Sequence, residues 1–426
     1  MRKLLYVVLD GLGDTPIAEL GNKTPLEAAK TPNMDSLAKK GRLGLVYTVG
    51  KDIAPESDVA VISILGYEAD KLYTGRGPLE AFAEGLDIRD GDLAYRVNFA
   101  TKDINSDKIT DRRVGRNLTT REATQLAKEV NEKVKLVDAT FTFKNTIGHR
   151  GVLVIRSKKH KLSSDVTNTD PAYDKHGVYG VAKEKFENVV LECRPTDEHD
   201  RSKEAIEAAR LTNEFVKKSS DVLNAAGTNK KRLKEGKMPG NLILTRDGGN
   251  RLPKFPDINK KFDIKFGCFV EMPVERGIAM LTGMDIVELP EPSGDLEKDY
   301  TLRADKVIHV LDKYGCLYIH IKGPDEPAHD GDFKKKLDSI EKIDKFFFGR
   351  LLPNLKADKV VIAITADHST PCKLKAHSGD PVPLLVTTDG IKSDNFSKFG
   401  EANCKNGTLG VLNGYELMGL FMGFTK

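Results

Sequence analysis

Leu4-Leu5-Tyr6-Val7-Val8-Leu9-Asp10 is the stretch that decides the fold. Uncharged residues follow one another without a break, and a carboxylate closes the run. A half-exposed strand alternates apolar and polar positions, whereas an uninterrupted run this short suits a parallel strand buried on both faces. The design recurs twice: Cys316 to Ile321 ends just before Asp325, and Val360 to Thr365 ends just before Asp367. In open α/β sheets, ligands gather beyond the carboxyl ends of the strands. One acid past a strand end is unremarkable. Three such ends, with histidines close to two of them, indicate a shared site.

Working outward, the chain reads as an α/β core interrupted by a second domain. Its 426 residues exceed the roughly 250–300 at which single cores stop growing. Thr31-Pro32-Asn33 opens a helix over 34–40 that Gly41 closes, and 332–348 spaces Phe333, Leu337, Ile340, Ile343 and Phe347 as a core-facing helical stripe. The middle has a different texture. Residues 138–156 predict two strands turning through Gly148, and 119–136 and 202–224 predict amphipathic helices. A polar, lysine-rich loop is expected over 228–237, then a strand over 242–245 that ends at Arg246. Because chemistry-bearing strands lie on both sides of this region, the expected division is a core of 1–71 with 276–426 and an inserted α+β domain of 72–275.

Composition excludes several classes. The balance of 67 Lys and Arg against 63 Asp and Glu leaves +4, too little to demand nucleic acid or an anionic membrane. The five cysteines are scattered without CxxC spacing, as expected for reduced thiols in a cytoplasmic protein. No apolar run approaches the ~18–20 residues of a membrane span. The first run is shorter than a ~7–15-residue signal core, so it is expected to be a strand.

The chemistry concentrates in three segments. Asp325 and His329 stand four residues apart, so on one helical turn both can face one ion. Asp367-His368 follows the third strand, and His377 comes shortly after. Any one Asp–His neighbour reads more simply as a surface pair or a satisfied core histidine. Three of nine histidines between positions 329 and 377, each near a strand end or its loop, read as a metal centre. Mixed imidazole and carboxylate donors suit Mn, Zn, Co or Fe better than Ca or Mg alone. The third segment, Ala54-Pro55-Glu56-Ser57-Asp58-Val59-Ala60, opens an apolar helix reaching about Leu65. There unpaired amides and the helix dipole favour an anion or alkoxide at Ser57, although the segment alone reads first as a plain helix cap.

These residues resemble the archaeal-type cofactor-independent phosphoglycerate mutases of the alkaline-phosphatase superfamily, nearly end to end. The resemblance runs through Val8-Leu9-Asp10-Gly11-Leu12-Gly13-Asp14, Thr24-Pro25-Leu26-Glu27-Ala28-Ala29, Gly75-Arg76-Gly77-Pro78-Leu79-Glu80 and Asp111-Arg112-Arg113-Val114-Gly115-Arg116. It continues through Asp325 to Gly331, Asp367-His368-Ser369-Thr370-Pro371 and His377-Ser378-Gly379-Asp380-Pro381-Val382-Pro383. It implies an alkaline-phosphatase-like parallel sheet sandwiched by helices. It also implies two divalent cations, one held by Asp10, Ser57, Asp367 and His368, the other by Asp325, His329 and His377. Manganese is the expected metal, with Zn, Co or Mg as alternatives. Ser57 would be the nucleophile and form a phosphoserine, so no 2,3-bisphosphoglycerate would be needed.

Two cations about 4 Å apart can stabilise both the attacking and the leaving oxygen of an in-line phosphoryl displacement. A mutase must also retain its glycerate and exclude water from the phosphoserine, a task suited to the inserted domain. The resemblance places Arg76, Arg112, Arg116, His149, Arg150, Asp170 and Arg246 near the substrate, with Arg113 a further candidate; Asp170-Pro171 reads equally as a turn. Two departures stand out: Pro327 inside the Asp325 loop, and Gly248-Gly249 after Arg246-Asp247, which bears on the role of Arg246. The partner expected is a small phosphorylated molecule, with no nucleic acid and no membrane, and the sequence leaves the oligomeric state open. Competing readings are a homoserine-kinase-like or phosphopentomutase-like relative, a phosphatase or sulfatase, and a metal-binding regulatory protein.

Overall fold

The computed structural model describes residues 2–183 and 185–426, which divide into two compact units, Met1–Leu72 with Phe255–Lys426, and Tyr73–Lys254. The three apolar runs lie side by side in the core unit: strand Lys3–Leu9 pairs in parallel with both Cys316–Ile321 and Val360–Thr365. Every residue of the latter two strands is buried, which is why their sequences do not alternate. The sheet continues through Phe266–Phe269 and Asp285–Ile286 on one side, and through Val382–Thr387, Arg42–Tyr47 and Gly410–Asn413 on the other. It is therefore eight-stranded. It is mixed rather than wholly parallel, because Val382–Thr387 runs antiparallel to both neighbours. The connection from Thr365 to Val382 contains no crossover helix, so the returning chain pairs in the opposite sense.

Tyr6 leaves the first strand to pack edge-on against Phe421 of helix Leu417–Thr425 and to donate its hydroxyl to the Ile64 carbonyl. That second bond anchors the end of helix Ser57–Ile64, of which seven residues are buried. The expected helix over 332–348 forms as Phe333–Lys342 and then widens into a π-helical turn, Ile343–Phe348.

The inserted unit is built on a five-stranded antiparallel sheet. Its long strand Leu93–Lys102 pairs with Arg150–Ser157, Leu242–Gly249 and Ile109–Asp111, and Ala139–Asn145 pairs with Arg150–Ser157. Helices Thr120–Lys133 and Lys203–Ala225 supply Ala123, Leu126, Val130, Leu211 and Phe215 to one core with Phe99, Phe143 and Leu244. Thr119 and Glu122 close a reciprocal capping box that fixes where the first of these helices begins.

Two expectations are corrected here. The insert ends at Lys254 instead of 275, because Phe266–Phe269 pairs with Cys316–Ile321 and so belongs to the core sheet. The lysine-rich loop over 228–237 is mostly helix, Gly227–Lys234. Its inward residues are Asn229 and Arg232, which bond to Leu223, Gly240, Met238 and Asn117, so the apolar periodicity that signals a helix is missing. Among the described residues the five cysteines are buried and unpaired, and no helix is long and apolar enough to cross a membrane.

Candidate active site

In the core unit, the carboxyl ends of the three central strands and the start of helix Ser57–Ile64 bring seven expected residues together. The turn after the first strand leaves Gly11 at φ +62, where a side chain is strained, and an added Cβ would lie 2.7 Å from Asp325. Glycine is what lets Asp10 and Asp325 share one space.

The three histidines are oriented by the same device. His368 Nδ1 lies 3.0 Å from the Thr370 hydroxyl, which itself donates to Asp325 Oδ1 at 2.7 Å. With the hydroxyl proton committed to the carboxylate, Nδ1 must be the donor and Nε2 carries the lone pair. Burial holds this imidazole neutral, at about 4. Its Nε2 faces Ser57 Oγ at 3.2 Å, Asp367 Oδ2 at 3.3 Å and Asp10 Oδ1 at 3.4 Å. Both carboxylate oxygens are buried without a hydrogen-bond donor. The Ser57 hydroxyl can donate to the Nε2 lone pair, but the two carboxylate oxygens beside it accept no hydrogen bond, and a divalent cation is a species that would reconcile this group.

The second group repeats the logic. His377 Nδ1 donates to the Pro55 carbonyl at 2.8 Å and His329 Nδ1 to the Lys375 carbonyl at 3.1 Å, so both turn Nε2 inward, 3.2 Å apart. Asp325 lies 3.4 Å from His329 Nε2 and 3.7 Å from His377 Nε2. A proton can also bridge such a group. Burial opposes the charge on His377, but Asp325 and Glu56 outweigh it and lift the ring to about 9. The two groups adjoin: the rings of His368 and His377 stack with centroids 3.7 Å apart. Two donor triads whose ligand atoms all lie within 4.8 Å of one another, Asp325 with His368 and His377, and Asp10 with His320 and Asp367, cut across the expected sets. Both groups fit cations of the imidazole-and-carboxylate type.

Sequence reasoning missed four neighbours of this centre. Thr370 was quoted within a motif but given no role. Lys336 is fully buried, and its ammonium binds Asp14 Oδ2 and the carbonyls of Gly13 and Thr370, each at 2.9 Å, tying together the loops after two strands. His320 and Lys322 lie at the end of the second strand beside Asp367 and Asp10. The signal that could have found His320 is an imidazole inside an otherwise apolar run.

The inserted unit gathers the expected basic residues. Arg112 grips Asp170 with two bonds of 2.8 and 2.7 Å, and Arg246 reaches the same carboxylate at 3.0 Å while lying 4.5 Å over the Tyr173 ring. Asp170, readable as a mere turn residue, is completely buried. Arg76 and Arg96 share Glu80 at 2.8 and 3.1 Å, and Arg96 also reaches Asp247. Arg246 is placed by a bulge in its strand, where Asp247 takes φ +55, so the following glycines leave it inside the cluster. The Asp111 to Arg116 motif folds into a tight turn: Asp111 Oδ1 accepts from the amides of Arg113 and Gly115, and Val114 is held at φ +53, rare for a β-branched residue. Arg113 and Arg150 are lowered by burial and by neighbouring arginines. Seven guanidiniums (Arg76, Arg96, Arg112, Arg113, Arg116, Arg150 and Arg246) thus face three carboxylates (Glu80, Asp170 and Asp247), a net positive cluster suited to a multiply charged anion.

His149 registers this field. Burial first, then Arg150, Arg113, Arg246 and Arg116, pushes it down to about 4, below the ordinary ~6.5. As pH falls from 6.5 towards 4, the unfolded chain takes up this proton and the folded one does not, so stability is lost over that window. His149→Gln is expected to flatten that acid slope. Urea midpoints at pH 7 and pH 5 test it, and equal losses in parent and variant would exclude the assignment.

Fold and centre together define a class: a mixed α/β protein with a carboxylate–imidazole centre at its strand ends and an arginine-rich insert. Curated relatives narrow it. The chain is 43% identical over 423 residues to the 2,3-bisphosphoglycerate-independent phosphoglycerate mutase of Aeropyrum pernix, covering 98% of each chain. It is 41% identical to the protein of that name from Thermococcus kodakarensis, covering 99% of this chain and 97% of the relative. The family model for 2,3-bisphosphoglycerate-independent phosphoglycerate mutase matches residues 38–229. Among solved structures, the cofactor-independent phosphoglycerate mutase of Thermoplasma acidophilum superposes with TM-score 0.65 at 30% identity over the whole of both chains. A Pyrococcus horikoshii protein superposes with TM-score 0.80 at 31% identity, over all of this chain and 97% of that one. This chain belongs to the 2,3-bisphosphoglycerate-independent phosphoglycerate mutase family.

Proposed function

We propose that this chain interconverts 3-phosphoglycerate and 2-phosphoglycerate through a phosphoserine on Ser57, beside two divalent cations. The observation that carries the reading is the convergence on His368 Nε2 of Ser57 Oγ and two buried carboxylate oxygens, Asp10 Oδ1 and Asp367 Oδ2, that accept no hydrogen bond. Asp10, Ser57, Asp367 and His368 would hold one cation, and Asp325, His329 and His377 the other. When bound, such ions favour the alkoxide form of a serine and neutralise charge on a transferring phosphoryl group. Manganese is the ion we expect from the donor types.

In the forward direction Ser57 Oγ gives up its proton and attacks phosphorus, the bond from phosphorus to the C3 oxygen breaks, and that oxygen takes up a proton. The 2-hydroxyl of the retained glycerate then attacks the phosphoserine, giving up its proton and releasing Ser57. Helix Ser57–Ile64 begins at the nucleophile, so the positive end of its dipole lies where negative charge develops. In the insert, Arg76, Arg112, Arg113, Arg116, Arg150 and Arg246 would bind the carboxylate and phosphate of the substrate, with neutral His149 and buried Asp170 shaping the cluster. The five buried, unpaired cysteines are consistent with a cytoplasmic enzyme of glycolysis and gluconeogenesis.

The test is turnover of 3-phosphoglycerate without added 2,3-bisphosphoglycerate. We expect activity that EDTA abolishes and Mn(II) restores. Turnover of phosphopentoses, or of homoserine with ATP, and none of phosphoglycerates would overturn the substrate assignment.

A further inference from the structure

Behind Asp10 and Asp367 lies a buried ionic network that the reaction as written leaves unused. Its hub is Glu275, the third residue of helix Pro273–Thr282 and 1% exposed. The first turn of that helix fixes the carboxylate: Oε2 accepts from the backbone amides of Glu271 at 3.3 Å and Met272 at 3.4 Å. Oε1 is thereby turned towards the second strand. There His320 Nδ1 stands at 3.2 Å and Lys322 Nζ at 2.5 Å.

His320 and Lys322 are two positions apart on an extended chain, so their side chains project to the same side. Each has a second partner. His320 Nε2 lies 3.4 Å from Asp367 Oδ2, and Lys322 Nζ lies 2.8 Å from Asp10 Oδ2. One carboxylate thus reaches, through two cationic-capable side chains, the two carboxylates that flank His368 and Ser57. The strand that carries His320 and leads into Lys322 is pinned in turn, since Arg303 Nη1 donates to the His320 carbonyl at 2.7 Å.

Stability does not call for this arrangement. Buried ionic groups cost desolvation, and well-packed apolar residues of similar volume often serve the fold as well or better. Partners that orient metal-ligating groups, by contrast, typically govern metal affinity by about 10–100-fold. We infer that Glu275, acting through His320 and Lys322, is a positioning residue that aligns Asp10 and Asp367 as the carboxylates of the Ser57 cation site. The inference rests on the two-cation reading above and adds the device that sets the strength of one of the two sites.

The experiment is Mn(II) titration of chelator-stripped full-length protein, following free Mn(II) by electron paramagnetic resonance, with kcat and KM measured in parallel. The wild-type chain is expected to bind two ions, and Asp325→Asn identifies the site that does not contain Ser57. Glu275→Gln keeps the shape of the side chain. It is expected to weaken only the Ser57 site, by about 10–100-fold, and to lower kcat at subsaturating metal with KM for phosphoglycerate unchanged. Lys322→Met removes the bridge from Glu275 to Asp10, leaves the one through His320, and is expected to weaken the same site. It also serves if Glu275→Gln does not fold. Two unchanged sites, or equal weakening of both, would overturn the positioning role while leaving the two-cation reading intact. Fewer than two ions on the wild-type chain would overturn that reading and this one with it.

Discussion

Ser57→Ala is expected to reduce mutase turnover by roughly 10⁴–10⁶-fold, the scale on which a covalent nucleophile is lost. The residue stands at the first turn of a helix whose seven other residues are all buried, with its oxygen 3.2 Å from His368 Nε2. Removing one oxygen from that position leaves the helix intact, because alanine is tolerated there and Tyr6 still anchors the far end through the Ile64 carbonyl. Asp10, Asp367 and His368 remain, so Mn(II) binding is expected to survive. The measurement is a pair: phosphoglycerate interconversion, and transfer of radiolabelled phosphate to the protein. Activity within tenfold of the parent would remove Ser57 from the chemistry. Loss of both metal ions along with activity would instead assign the residue a structural part in the centre.

The second large effect concerns folding of the insert. Asp170 is wholly inaccessible, accepts two bonds from Arg112 and one from Arg246, and also receives the Ala172 amide at 3.2 Å. Both arginines share this carboxylate. Asp170→Ala would leave Arg112 facing Arg113 without its carboxylate, and would take the shorter carboxylate contact from Arg246, itself 5% exposed, whose Nε keeps Asp247 at 3.5 Å. Leaving a buried charge unpaired costs about 3–5 kcal/mol. We expect a loss of that order in urea unfolding followed by far-ultraviolet circular dichroism. Asp170→Asn, which keeps acceptor capacity without the charge, should fall in between. A loss below about 1 kcal/mol would mean that solvent or rearranged side chains already balance the cluster.

The same cluster illustrates how far the sequence can be read. Arg76, Arg112, Arg116, Arg150 and Arg246 were named from motifs, but nothing in their spacing shows that Arg112 and Arg246 would share one carboxylate. Arg96 was not named at all. It lies within a strand-forming segment, and only pairing of that strand with Leu242–Gly249 brings it to Asp247. Glu80 was quoted inside a motif, yet its role as the common partner of Arg76 and Arg96 depends on how helix Arg76–Ala83 meets that strand.

By itself the sequence determined the three buried parallel strands, the acids and imidazoles beyond their ends, the serine opening an apolar helix, and the presence of an insert. These are local properties: a run of Val, Ile and Leu, a four-residue Asp–His spacing, or a helix start is written within a dozen neighbouring positions. Tertiary structure alone decided that Val382–Thr387 runs against the sheet, that the chain re-enters the core at Phe255, and that residues 227–234 coil around polar inward groups. It also decided that Glu275, His320 and Lys322 stand behind Asp10 and Asp367. The reason is physical. Hydrophobic periodicity records which side of an element is buried, whereas the partner of a buried charge is chosen by chain segments tens to hundreds of residues away.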